Sequence, residues 1–182
     1  MPNWCSNHLF IRGTNDELNA IRTLLEGKDE VLDFEKVKPT PLDDGIVDVK
    51  ELSDEDFDWT SKDSKKPDKT LFPGWYEFRI AEWGTKWNAS DPVLEDQEAD
   101  RLVYTFDTAW SPPSPIVLKL SELFPEAEFA LSYFEPGCAF AGTYSACNGV
   151  DSNNMYDYGS VEYTDMASSF GFREIDEDDE EE

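Results

Sequence analysis

The sequence predicts an α+β fold in which split β-α-β units share one antiparallel sheet. Two kinds of periodicity point there. Residues 102–108 alternate Leu102, Tyr104 and Phe106 against Val103, Thr105 and Asp107, residues 4–12 and 129–134 also read as strands, and stretches opening near Thr14 and Ser114 place apolar residues three and four apart as helices do. A third observation is the punctuation, because Gly13, Pro112-Pro113, Pro125 and Pro136-Gly137 fall between those stretches.

The first strand, WCSNHLFIR, sets Cys5, Leu9 and Ile11 on one face and Trp4, His8 and Phe10 on the other. Apolar groups on both faces predict a central strand. After Gly13, Thr14 and Glu17 have capping-box spacing, and Leu18, Ile21, Leu24 and Leu25 form the apolar stripe of a helix that Gly27 is placed to end. Residues 31–37 alternate Val31, Asp33, Glu35 and Val37 against Leu32, Phe34 and Lys36, and read as a second strand. Residues 38–73, with four prolines, many acids and the cluster Lys62, Lys65, Lys66, Lys69, read as a polar insertion, either a spacer or a functional loop.

Residues 75–83, WYEFRIAEW, read as a helix buried nearly all round, followed by an extended segment over 85–89. An acidic loop is expected over 90–100 and a strand over 102–108. Ser114 and Pro115 suit the N-cap and first position of a helix carrying Ile116, Leu120, Leu123 and Phe124. A strand over 129–134 pairs back through Pro136-Gly137 with residues 139–146, while 148–160 read as turns and 161–172 leave room for a short strand and a short helix. This order is the ferredoxin-like plan, a split β-α-β sandwich with helices on one sheet face. The expected organisation is one domain over 1–173 with a long insertion, then a disordered acidic C-terminal tail over 174–182.

Hydrophobic residues make up 39% of the 182-residue chain and aromatics 14%, with six Trp and twelve Phe, so a sizeable core is available. Cys5, Cys138 and Cys147 have no metal-binding spacing, and with His8 as the single histidine they read as reduced thiols, not as a zinc site or disulfide framework. No basic leader precedes an apolar run and no stretch is long enough to span a bilayer, so a cytoplasmic protein is expected.

Charge is the strongest compositional signal. Fifteen Lys and Arg against 41 Asp and Glu give −26, of which the tail EIDEDDEEE carries −8. Such a field repels nucleic acid and anionic membranes and attracts basic surfaces. A run of like charges stays unfolded, as a solubilising end or as a partner-binding one.

Four stretches carry a family resemblance: MPNWCSNHLFIRG (1–13), WYEFRIAEWGTKWNA (75–89), TFDTAWSPPSPIVLKLSELFP (105–125) and FALSYFEPGCAFAG (129–142). Together they resemble the YubB-type ferredoxin-like domain of bacterial plasmid, prophage and phage proteins. The resemblance implies the fold and a mobile-element setting. It supplies no catalytic residues, and the long acidic stretches and tail depart from it.

Several constellations compete. Trp83, Lys86, Trp87 and Asn88, with Trp4, Asn7 and Trp110, form either a pocket for a planar ligand or a core whose amides satisfy buried backbone. Trp4, His8, Phe10, Tyr104 and Phe106 match an RNA-stacking platform by type, but the charge argues against it. Carboxylate pairs such as Glu77 with Glu82 or Asp107 are common by chance among so many acids. In the run Asp151, Asn153, Asp157, Met155 stands where a calcium loop needs oxygen. No phosphate loop, dinucleotide fingerprint or HExxH occurs, so no catalytic residue, cofactor or metal is assigned.

The leading expectation is an acidic interaction protein of a phage or other mobile element. It would bind a basic, host-encoded partner that defends the host or handles nucleic acid, with no direct contact to nucleic acid or membrane. The acids expected to bind it are Asp43, Asp44, Glu51, Asp54, Glu55, Asp56, Asp58, Asp91, Glu95 and Asp96. Spread evenly, the charge amounts to about one per 350 Å², against about one per 110 Å² on duplex DNA, so nucleic-acid mimicry requires the acids to gather on one face. A small-molecule-binding or enzymatic domain using residues 83–88 is the alternative.

Overall fold

Strand β1 (Trp4–Arg12) runs through the middle of the molecule, antiparallel to both of its neighbours. The computed structural model describes residues 3–40 and 74–172. After β1 come α1 (Asn15–Leu25), α2 (Phe34–Val37), α3 (Trp75–Glu82), β2 (Ser90–Gln97), β3 (Arg101–Ala109), α4 (Ser114–Leu123), β4 (Glu128–Glu135), β5 (Phe140–Cys147), β6 (Val150–Tyr156) and α5 (Val161–Ser169). The sheet order is β2-β3-β1-β4-β5-β6. Its first four strands are the ferredoxin-like sheet. β1 returns to β2 through α1, α2 and α3; β3 returns to β4 through α4; β5 and β6 then extend the sheet as a meander.

The capping box at Thr14 forms, with Glu17 Oε2 accepting from the Thr14 N–H at 3.1 Å and the Thr14 hydroxyl accepting from the Glu17 N–H. Register builds the core. Leu9 stands between Tyr104 and Leu131, Ile11 stands between Leu102 and Phe129, and Leu131 faces Tyr144. Leu18, Ile21 and Leu25 of α1, Phe34 of α2 and Ile116, Val117 and Leu120 of α4 close over this face. Each such buried side chain contributes about 1.5–3 kcal/mol of transfer free energy.

Several expectations are corrected. Residues 31–37 are not a strand. Asp33 caps the single turn α2 by accepting from the Glu35 N–H at 3.0 Å, and Phe34 and Val37 bury together at helical spacing. A short alternating run is compatible with either period, and here the cap decides. The strand that completes the first β-α-β unit is β2, in the stretch expected to be a loop. It is an edge strand, and its acids, Pro92 and two register shifts are the devices that protect a sheet edge from further pairing. β6 likewise replaces expected turns. Asn148 and Gly149, both at positive φ, join Cys147 to Val150 in a two-residue hairpin turn.

Helix α3 has no buried residue; only Phe78 packs against the core, while Tyr76 and Ile80 stay exposed. Residues 84–87 bend where an extended segment was expected. Gly27 does not cap α1 in a left-handed conformation. Glu26 is the cap, and the Gly27 N–H donates to the Glu30 carbonyl in the following turn. Ser114 is the first residue of α4, not its cap. Pro113 precedes it, and its carbonyl accepts from Ile116 and Val117. The stripe of α4 is Ile116, Val117, Leu120 and Ser121, with Leu123 exposed.

The helices do not all share one face. α1 to α4 cover the first, and α5 lies across part of the second, where Tyr163 and Ala167 pack on Phe134 and Ala141. Residues 161–172 contain this helix and no strand. The tail expected over 174–182 and most of the insertion lie outside the described residues. Among the described residues, no helix is long and apolar enough to cross a membrane.

Candidate functional site

The tryptophan-rich constellation divides into an interior and an exterior part. Asn7 is buried on the core face, where its Nδ2 donates to the Cys5 carbonyl at 2.7 Å and to the Thr108 hydroxyl at 2.9 Å. Trp83 caps α3 inside the core and donates from Nε1 to the Lys38 carbonyl at 2.8 Å. Asn88 Oδ1 accepts from the Phe34 N–H at 2.9 Å, and its Nδ2 donates to Asp33 at 2.7 Å. These polar groups are consumed by the fold, as the core reading of the constellation required.

Around Trp83 runs a network of charges. The Arg79 guanidinium lies 4.4 Å from the Trp83 ring centroid and 5.4 Å from that of Trp75. It pairs with Glu35 at 2.7 Å, and Glu35 also accepts from the Thr40 backbone at 2.6 Å and the Thr40 hydroxyl at 2.7 Å. Lys38 pairs with Glu82.

Trp4, Trp87 and Trp110 are exterior. The rings of Trp4 and Trp87 are 6.1 Å apart and tilted, and Lys86 Nζ stands 4.1 Å from the centre of Trp87. Trp4 points to the second sheet face with Ser6, His8, Phe10 and Arg12 because alternate residues of β1 do. The same register sends Tyr104 and Phe106 to the core face, so the five-aromatic platform does not assemble.

Two hollows lie on the second face. One, of about 250 Å³, is formed by Ser6, His8, Asp91, Thr105 and Asp107 and walled by Phe170, whose ring is 4.2 Å from His8. Burial lowers the pKa of His8, and the nearby Glu95 carboxylate opposes that shift. The other, of about 490 Å³, is a shallow groove past Phe10, Arg12, Ala130, Ser145, Val150 and Ser152. Neither is lined by Trp83, Lys86 or Asn88.

Of the acids read as partner-binding, Asp43, Asp44, Glu51, Asp54, Glu55, Asp56 and Asp58 lie outside the described residues. The other three sit on β2 with different surroundings. Asp96 pairs with Arg101 at 2.7 Å, Glu95 accepts from the Thr105 hydroxyl at 3.0 Å, and Asp91 opens into the smaller hollow. The residues that join Asp91 there, Ser6, Asp107 and Phe170, were not singled out together by the sequence. Alternation along residues 102–108 put Asp107 away from the core, but only the β1–β3 register sets it opposite Ser6.

The carboxylates considered as acid–base partners have other places in the fold. Glu82 is engaged by Lys38 on the helical side, and Asp107 belongs to the opposite face. Asn153 accepts from the Tyr133 hydroxyl at 2.9 Å. Among the described residues, no three histidine, cysteine or carboxylate groups gather as a metal centre. Burial, with the Glu135 charge, pushes the Cys5 thiol up to about 12, the reverse of what a nucleophile needs. What the second face offers chemically is carboxylate beside exposed aromatic surface.

No curated protein matches the chain. The crystal structure of the protein api92 from Yersinia pseudotuberculosis matches with a TM-score of 0.56, covering 88% of this chain and 99% of that one at 11% identity. Identity that low speaks for a shared fold alone. The family model described as "Ferredoxin-like domain in Api92-like protein" matches residues 82–182, which include β2 through α5. That match spans more than half of the sequence, so the chain belongs to the family of ferredoxin-like domains in Api92-like proteins.

Proposed function

We propose that this chain is an acidic interaction protein of a phage, prophage or plasmid, acting in the cytoplasm on a basic host protein that defends the cell or handles nucleic acid. The observation that carries this reading is the net charge of −26. A surface so charged meets cationic partners through long-range attraction and rejects polyanions. The mobile-element setting rests on the sequence resemblance to YubB-type domains. The reading of residues 83–88 as a small-molecule site draws no support from a stretch in which Trp83 and Asn88 bond to backbone.

Capture from a bacterial host lysate, at about 50 mM and about 500 mM salt, tests the proposal. It expects a basic protein retained at low salt, released at high salt and not retained by a charge-neutral control protein of similar size. Failure to retain any basic protein at low salt overturns it.

A further inference from the structure

Three indoles are exposed at one end of the sheet: Trp4 at 39%, Trp87 at 39% and Trp110 at 46%. Grouped aromatics on a surface mark contact sites, and tryptophan is the residue most enriched where binding energy concentrates. Trp110 sits in the left-handed region at φ 75°, uncommon for a bulky residue. Its N–H donates to the Asn3 carbonyl at 3.0 Å, which fixes it one residue beyond the Trp4–Ala109 pair.

Trp4 shares its face of β1 with Ser6 and His8 of the smaller hollow. Trp4 and Ser6 are successive residues on the same face of β1, and Ser6 is paired with Asp107. Asp91 follows Trp87 by four residues and lines the same hollow, with Phe170 as its apolar wall. Asp91 and Asp107 make no ion pair among the described residues, whereas Asp96 does. His8, held toward its neutral form by burial, adds little opposing charge.

Exposed ring faces beside carboxylates suit one side chain above others. A guanidinium is planar, stacks on indole and donates in pairs to a carboxylate, while an ammonium is compact and strongly hydrated. The chain already shows guanidinium stacking internally, with Arg79 against Trp75 and Trp83. We propose that the surface running from Trp87 and Trp4 into the Asp91–Asp107 hollow docks an arginine-bearing segment of a basic protein. This rests on the basic-partner reading and commits it to one face. The arginine enters the hollow, and a neighbouring cationic side chain displaces Lys86 from Trp87.

A nona-arginine peptide is the probe, titrated at about 50 mM salt with tryptophan fluorescence and calorimetry as readouts. Asp91→Asn with Asp107→Asn, and separately Trp87→Ala, are expected to weaken binding about tenfold or more. The charge-matched control, Glu30→Gln with Glu126→Gln on the helical side, is expected to change it less than about twofold. An equal loss in the control overturns the docking site but leaves the basic-partner reading standing, because attraction is then diffuse. No binding to the unsubstituted protein overturns both. Nona-lysine on the unsubstituted protein needs no variant to fold. It is expected to bind about tenfold more weakly than nona-arginine, and equal affinity overturns the proposal.

Discussion

The imidazole of His8 lies 4.2 Å from the ring of Phe170, tilted by 35°, and so ties the end of α5 to the central strand. Phe170 also stacks near Phe134, so one residue links the second-face cluster to the hollow beside β1.

A pH dependence follows from that contact. Burial lowers the His8 pKa below its ordinary 6.5, so in the window just below that value the unfolded chain takes up a proton the folded chain resists. The His8 contribution to stability is therefore fully present above about pH 6.5 and is lost as the medium is acidified below it. The fall in Tm from about pH 7.5 to about pH 5.5 is expected to be smaller in His8→Gln than in the unsubstituted protein. Equal falls would show that the imidazole does not titrate differently on folding.

Asn7 is a buried donor serving the Cys5 carbonyl and the Thr108 hydroxyl. Asn7→Ala leaves buried acceptors unmet and is expected to lower stability by about 1–3 kcal/mol. Asn7→Asp is expected to do more harm, since a carboxylate cannot donate and would be charged in the interior. Urea unfolding midpoints test both, and a neutral Asn7→Ala would mean that the amide is replaceable by water.

Gly84 is at φ 81°, and a Cβ there would stand 2.8 Å from the Pro112 carbonyl and from Pro115 Cδ. Gly84→Ala is expected to destabilise by about 1–3 kcal/mol. Gly149→Ala shares the positive φ but would meet Glu122 Cγ at 3.4 Å, an end that can give way, so its loss is expected to be the smaller. Thermal melts of the two variants rank them, and the reverse order would contradict the packing at Gly84.

The cysteines differ in the same testable manner. Cys138 and Cys147 are exposed and Cys5 is buried with its pKa pushed up to about 12. A thiol reagent at neutral pH is expected to label two cysteines in the folded protein and the third only in denaturant. Rapid labelling of all three would mean that β1 opens readily.

Much of the sheet could be read from the chain because its buried strands alternate cleanly. Strand β1 was recognisable from Cys5, Leu9 and Ile11, β3 from Leu102, Tyr104 and Phe106, and α1 from its Thr14–Glu17 box. Strands β2 and β6 were not, because edge strands need little apolar alternation; β2 carries Pro92 and acids, and most of β6 is exposed. The proposed docking surface was legible only as composition. Trp83 and Trp87 are four residues apart in sequence, yet one ends a helix inside the core and the other lies on the surface. No local pattern distinguishes them, and the pairing of Ser6 with Asp107 is a property of register alone.

The clamp formed by Arg79, Glu35 and Thr40 has a wider consequence. It joins the chain just before residue 41 to the chain just after residue 73, so the intervening stretch begins and ends at a fixed base. Breaking the Glu35–Arg79 pair would therefore release both flanks of that stretch together.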